Sequence, residues 1–318
     1  MATPQTISAR LTEVSDDACA HPSSHRNPVG RQIARLFSRR EEPRLDRPRR
    51  NRKIPAAAVT ALLAPAMLGC VPSGLQADGC RYEAKRNATL PIEGATRARI
   101  VSGAGELEIQ GYPDLGEIRI RGRACASDQE ALDQIQLETG RDGNELSIEA
   151  KQPSVGRQFY VTLFNRKLSS RPAFLDLEID VPASLALDVT DGAGSVAIRD
   201  SGPVRLKDGS NSIRIENAAG DVSVQDGSGS VELRHIKGDL EVKDGSGSIS
   251  IADVAGSVRV QDGSGSIETQ RVAREVVVTS DSSGSISVRQ VGGDFTVERD
   301  GSGSVHYKDV RGRVSVPE

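Results

Sequence analysis

From Asp191 onward the chain alternates apolar and polar residues in a pattern that returns every 17 to 19 residues. Seven segments align on an aspartate, beginning at Asp191, Asp208, Asp226, Asp244, Asp262, Asp281 and Asp300, with DGSGSISI from Asp244 as the model. Counting that aspartate as zero, an apolar residue recurs at +5 and +7, at +10, and at +14 and +16. In the unit from Asp244 these are Ile249, Ile251, Val254, Val258 and Val260, and in the unit from Asp226 they are Val231, Leu233, Ile236, Leu240 and Val242. Two stretches of period-two alternation per unit predict two short strands, each turning one face inward and leaving Glu232, Arg234, Glu241 and Lys243 in water. Glycine at +12 in five of the seven units (Gly220, Gly238, Gly256, Gly293 and Gly312, against Arg274 in another) predicts a turn with an unusual backbone angle. The Asp-Gly-Ser-Gly corner predicts a second turn, in which glycine supplies positive φ and Asp and Ser bond neighbouring amides. Several glycines and β-branched residues per unit, without a 3.6-residue period, exclude a helix.

Strands this short bury their inward faces only by stacking. If each unit is one coil, equivalent positions lie about 4.8 Å apart, the inward Val and Ile form ladders, and backbone groups pair up and down the stack. The expected fold is therefore all-β, a β-solenoid of two-strand coils over residues 186–318, a rod or wedge about 30 Å long. Pro317 would blunt the edge of the last coil. Residues 83–185 read as an irregular β region in the same style. Ile100 to Ile109, IVSGAGELEI, repeats the strand and corner of Val189 to Ile198, VTDGAGSVAI. Further strands are expected at Glu117 to Arg121, Glu145 to Ala150 and Phe159 to Phe164, with Gly140 to Gly143 as a turn. A short helix is expected at 128–135, where Ser127 and Glu130 would make a capping box.

Charge adds an asymmetry along the chain. The 318 residues carry a net charge of -3, but residues 1–53 hold 12 basic and 6 acidic side chains, and the rest hold 29 and 38. The folded part is acidic, so no basic face is available to neutralise phosphates, and nucleic acid is excluded as a partner. With no Trp, five Phe and four Tyr, a stacking platform for sugars or a deep aromatic pocket has few residues to draw on.

Residues 1–47 are polar and rich in Arg and Pro, and read as a disordered extension. At 48–69 comes a basic stretch, Pro48 to Lys53, then the charge-free IPAAAVTALLAPAMLG from Ile54 to Gly69, the parts of an export signal. These 16 residues fall short of the roughly 20 that a membrane span needs. Two cleavage readings stand. Met67-Leu68-Gly69-Cys70 resembles a bacterial lipobox, which would make Cys70 a lipidated N-terminus, and Ala64-Pro65-Ala66 would suit ordinary signal peptidase. Lipidation of Cys70, followed by a linker over 70–82, would leave Cys80 and Cys125 as an even pair. They would form a disulfide in an oxidising compartment or stay as two buried thiols.

Candidate chemistry is sparse. Asp208, Asp226, Asp244, Asp262, Asp281 and Asp300, flanked by serines, form a row that would offer oxygen ligands to Ca²⁺. Calcium-binding β-rolls place their aspartate after the glycines, whereas here it precedes them, so the row reads first as turn-fixing and second as a cation site. Carboxylates stacked about 5 Å apart repel, which raises their pKa or invites a counter-ion. His235 and His306 lack a second ligand at metal spacing. The Gly-Ser-Gly-Ser corners are not a nucleophile elbow, and repetition argues against catalysis, which needs its nucleophile once.

The run LDLEIDVPASLALDVTDGAGSVAI, residues 175–198, with Val181-Pro182 ending one strand and Leu187 to Val189 in the next, resembles the toast-rack, or adhesin-like, family of bacterial envelope proteins. The resemblance implies a stacked-strand fold and a cell-envelope location, and it carries no catalytic motif. The expected function is a non-enzymatic, lipid-anchored envelope protein that meets an envelope or extracellular ligand in adhesion, scaffolding or sensing. A Ca²⁺-stabilised structural module and an enzyme using residues 83–174 are the alternatives.

Overall fold

A computed structural model describes residues 80–153 and 173–317. The expectations for residues 1–79, including the export signal and Cys70, and for a strand at Phe159 to Phe164 lie outside the described residues. The described chain is all-β apart from one short helix, and forms two sheets of 12 and 11 strands.

Each repeat contributes one strand to each sheet. Leu240–Asp244 pairs in parallel with Val222–Gln225 before it and Val258–Asp262 after it. On the other sheet, Gly247–Val254 pairs in parallel with Gly229–Ile236 and Gly265–Val272. Registers step by one whole coil, so Ile249 lies between Val231 and Ile267, and like stacks on like. The inward Ile249, Ile251, Val254, Val258 and Val260 are each 2% exposed or less. These ladders are the core, and they are what the spacing predicts.

The repeat begins earlier than Asp191. Arg97–Val101 and Leu107–Tyr112 form a coil in register with Ala186–Thr190 and Val196–Arg199, with Ile100 opposite Val189 and Ile109 opposite Ile198. On its other side this coil pairs in parallel with Glu145–Lys151 and Ala173–Pro182. The chain thus lays down an inner coil, moves outward to build its neighbour, and returns past it to start the repeats. Antiparallel strands finish both sheets at this end. Glu117–Ala126 pairs with Ala173–Pro182, Tyr82–Lys85 and Ala88–Pro91, and Gln136–Asp142 pairs with Glu145–Lys151.

Local geometry corrects three expectations. The helix is Gln129–Gln134, and its N-cap is Asp128, whose Oδ1 accepts the Ala131 amide at 2.9 Å. Ser127 instead donates its hydroxyl to the Asp128 carboxylate, the stronger acceptor for an exposed helix amide. Gly140 lies within Gln136–Asp142, opposite Ser147, and the turn is confined to Gly143 and Asn144 because Asp142 already pairs with Glu145. Finally, the +12 glycines are not among the residues with positive φ. They are small because the preceding coil is close: a Cβ on Gly238 would lie 2.2 Å from Asp221 Oδ1 and 2.5 Å from its amide nitrogen.

Positive φ occurs instead at +3, in glycines such as Gly247 and Gly265, and at +9, where no glycine marks it. Asp200, Asn217, His235, Asp253, Arg271, Gln290 and Asp309 all adopt φ between 53 and 60°. Asp, Asn and His tolerate this region better than most side chains. Arg271 sits there with a bidentate pair to Asp253 one coil away, which holds the Asp253 carboxyl below the usual carboxylate range.

One core position breaks the ladder. Thr269 stands at +7, where neighbouring coils carry Ile251 and Val288, and its hydroxyl is fully buried with no partner. Thr269→Val removes that hydroxyl and keeps the volume, so we expect urea unfolding to show a gain of about 1 kcal/mol. An unchanged or lower midpoint would contradict this account of the site.

Candidate functional site

The candidate site is the aspartate row. Strand alternation carries Leu240 and Val242 inward and Glu241 and Lys243 outward, and the next inward position is Asp244. The same step puts Asp208 after Val204 and Leu206, and Asp262 after Val258 and Val260. Asp191, Asp208, Asp226, Asp244, Asp262 and Asp281 are accordingly only 2 to 8% exposed, and Asp300, in the last coil, is half-buried. Parallel pairing sets Asp244 against Asp262, and an isolated bridge sets Asp281 against Asp300. Ser102 occupies the equivalent place in the inner coil, bonding the Thr190 carbonyl through its amide, and its own hydroxyl is buried without a partner.

Four of the carboxylates divide their oxygens between two tasks. One oxygen fixes the corner: Asp208 Oδ1 accepts the Gly209 amide at 2.7 Å, and the Oδ1 atoms of Asp226, Asp244 and Asp281 accept those of Ser228, Ser246 and Ser283 at 3.1 to 3.3 Å. The other, Oδ2 of Asp208, Asp226, Asp244 and Asp281, is buried with no partner, as are both carboxyl oxygens of Asp191 and Asp262. Burial disfavours the charged form and raises the pKa of each carboxyl from Asp191 to Asp281. With repulsion from neighbouring aspartates added, Asp191 is lifted to about 7, and Asp226 and Asp262 to about 6.

A second row of acids shows the contrast. The exposed Asp221, Asp239 and Asp294 each accept, through Oδ1, an amide of the following coil: those of Asp239, Ser257 and Arg313, at 2.8 to 2.9 Å. These acids staple coils together at no cost in burial. The inner row meets no such donor on its second oxygen.

Calcium binding calls for about six to eight oxygens around one point. The row offers one or two free oxygens per coil. Among the described residues no three His, Cys, Asp or Glu side chains converge as a metal cage. His235 is exposed at +9, 3.7 Å from the Asp253 carboxylate, and His306 is exposed on the last coil, so the fold brings neither histidine to the row. Cys80 and Cys125 are joined by a disulfide in the antiparallel cap, with Cα atoms 5.5 Å apart.

The cap itself contains a depression of about 650 Å³, lined in part by Glu83, Lys85, Arg121, Arg123 and Asp176. Two of its arginines are engaged with acids: Arg121 with Glu178 and Asp180, and Arg123 with Asp176 and Glu83. Side chains held in such a lattice align the strands they join.

No family model and no curated protein matches the chain. Among solved structures it is similar to a candidate adhesin from Bacteroides fragilis, with 12% identity and a TM-score of 0.38 over 75% of this chain and 99% of that one. It is also similar to a candidate cell adhesion protein from Clostridium sporogenes, at 12% identity and a TM-score of 0.30 over 74% and 99%. A candidate lipid binding protein from Parabacteroides distasonis gives 13% identity and a TM-score of 0.34 over 74% and 97%. Overlays this loose say nothing further about what this chain does.

Proposed function

We propose that the protein is a non-enzymatic module of the bacterial cell envelope, tethered by a lipid on Cys70, whose solenoid presents an extended repetitive surface for adhesion, scaffolding or sensing. The observation that carries this reading is the in-register repetition of exposed side chains. Ser212, Ser230, Ser248, Ser266, Ser285 and Ser304 are exposed and paired coil to coil, so one small polar group recurs along the whole stack. A surface of this kind meets a partner along its length, as solenoids do, whereas catalysis concentrates unlike groups at one point.

The basic and apolar run ahead of Cys70 supports export, and the tether is tested directly. In cells fed labelled palmitate, the wild-type chain is expected to carry label and to fractionate with membranes. Cys70→Ser is expected to lose both. An unlabelled, freely soluble wild type would remove the anchor and with it much of the envelope reading.

A further inference from the structure

The aspartate row has a property that adhesion or scaffolding does not require. Six consecutive coils each place a carboxyl on the inner face of the stack, nine-tenths buried or more, with at least one oxygen that meets no donor. Among the described residues no Arg, Lys or His is paired with any of these carboxyls. The same strands present Val and Leu at their other inward positions, and Val231, Ile249 and Ile267 of the opposite sheet are buried in the same core. The residue before Asp244, Lys243, is exposed on the outer face. The titratable neighbours of each carboxyl are therefore the aspartates of the coils above and below, about 4.8 Å away in a parallel stack, with the Ser102 hydroxyl at the head of the row.

A row of six full negative charges at that spacing, in an apolar interior, is not sustainable. A carboxyl that takes a proton from water becomes a donor, and the orphaned oxygen of the next aspartate is the acceptor it lacks. We propose that toward neutral pH the row holds protons shared between neighbouring carboxyls, so that the solenoid tightens in acid and loosens in alkali. The direction follows from linkage. A carboxyl that is harder to ionise in the folded chain than in the unfolded chain takes up protons on folding. Its stabilising contribution is full below the unfolded value of 3.8 and is lost as pH rises through the folded values of about 6 to 7.

The test is urea unfolding of the full chain in EDTA between pH 5 and pH 8. The midpoint is expected to rise steadily as pH falls, with a slope equivalent to about two protons taken up on folding. Asn keeps an oxygen able to accept the corner amide, as Asp226 Oδ1 does, and replaces the charge with a donor, so Asp226→Asn with Asp262→Asn is expected to raise the midpoint at pH 8 and flatten the slope. A wild-type midpoint that is level or falls toward pH 5 overturns the proposal, even if the double variant fails to fold. So does a slope that persists unchanged in the variant. A third arm adds millimolar CaCl2 at pH 7.5. Stabilisation that EDTA reverses and the Asn variant lacks would mean that a cation, not a proton, neutralises the row.

Discussion

Gly265→Ala is expected to abolish cooperative folding of the repeats or to lower their stability by about 4 kcal/mol or more. Gly265 has φ of +141°, and an added Cβ would lie 1.5 Å from the carbonyl oxygen of Gly247 on the preceding coil. A backbone angle that belongs to glycine costs about 1 to 3 kcal/mol for another residue. Overpacking adds about 1 to 3 kcal/mol more, and toward the upper end here because the obstacle is backbone, which no rotamer change removes. Relief requires the two strands to part, which breaks pairing between Gly247–Val254 and Gly265–Val272 and opens the valine and isoleucine ladder beneath. In a stack where each coil leans only on its neighbours, such a break separates the coils on either side. Asn211 shows what accommodation entails: at the same corner position it adopts φ of 92°, far from the glycine values. Ser266→Ala, one residue along and exposed, should stay within about 0.5 kcal/mol of wild type. Denaturant melts of the two variants check the contrast, and a Gly265→Ala midpoint close to that of Ser266→Ala would refute the close-approach account.

The contrast also shows which parts of this fold a sequence exposes. Val and Ile at +5, +7, +10, +14 and +16 revealed the strands and their inward faces because burial imposes a period that composition cannot hide. The inner coil at Ile100 to Ile109 was legible for the same reason, through its likeness to Val189 to Ile198. Its placement between strands that follow it was not, since order in space depends on pairing partners that no local pattern encodes. The +9 residues escaped notice because a left-handed backbone was filled by Asp, Asn, His, Arg and Gln, where glycine would have advertised it. The aspartate row is legible in the sequence, and its depth follows only when the alternation at +14 and +16 is extended by one more step. A corner made of Asp, Gly and Ser reads as surface by composition, and the strand's period overrules composition. The helix cap fell one residue late because Ser127 and Asp128 are both competent caps, and only the backbone decides between them.

Removal of the Cys80 to Cys125 disulfide should cost the cap, and not the stack, most of its stability. The bond spans 45 residues, for which the loss of chain freedom in the unfolded state corresponds to about 4 kcal/mol. It ties the entry of Tyr82–Lys85 to Glu117–Ala126, where Glu83 faces Cys125, and Cys125 is fully buried. Those strands close one sheet against Ala173–Pro182, so without the bond that edge frays. Coils such as Gly247–Val254 lie many strands away and feel the loss only through nearest neighbours. In the Cys80→Ala, Cys125→Ala double variant, hydrogen exchange should therefore accelerate in Tyr82–Lys85 and Glu117–Ala126 while protection over Gly247–Val254 stays near wild type. The bared strand edge should also promote association at high concentration, because unpaired amides and carbonyls are a template for another chain. Uniform loss of protection along the chain would show that the cap and repeats unfold as one unit, and no loss in the cap would show that the disulfide is dispensable. The first pattern would have a physiological consequence: a chain kept in a reducing compartment would hold a sound rod with an open end, and oxidation would be the step that closes it.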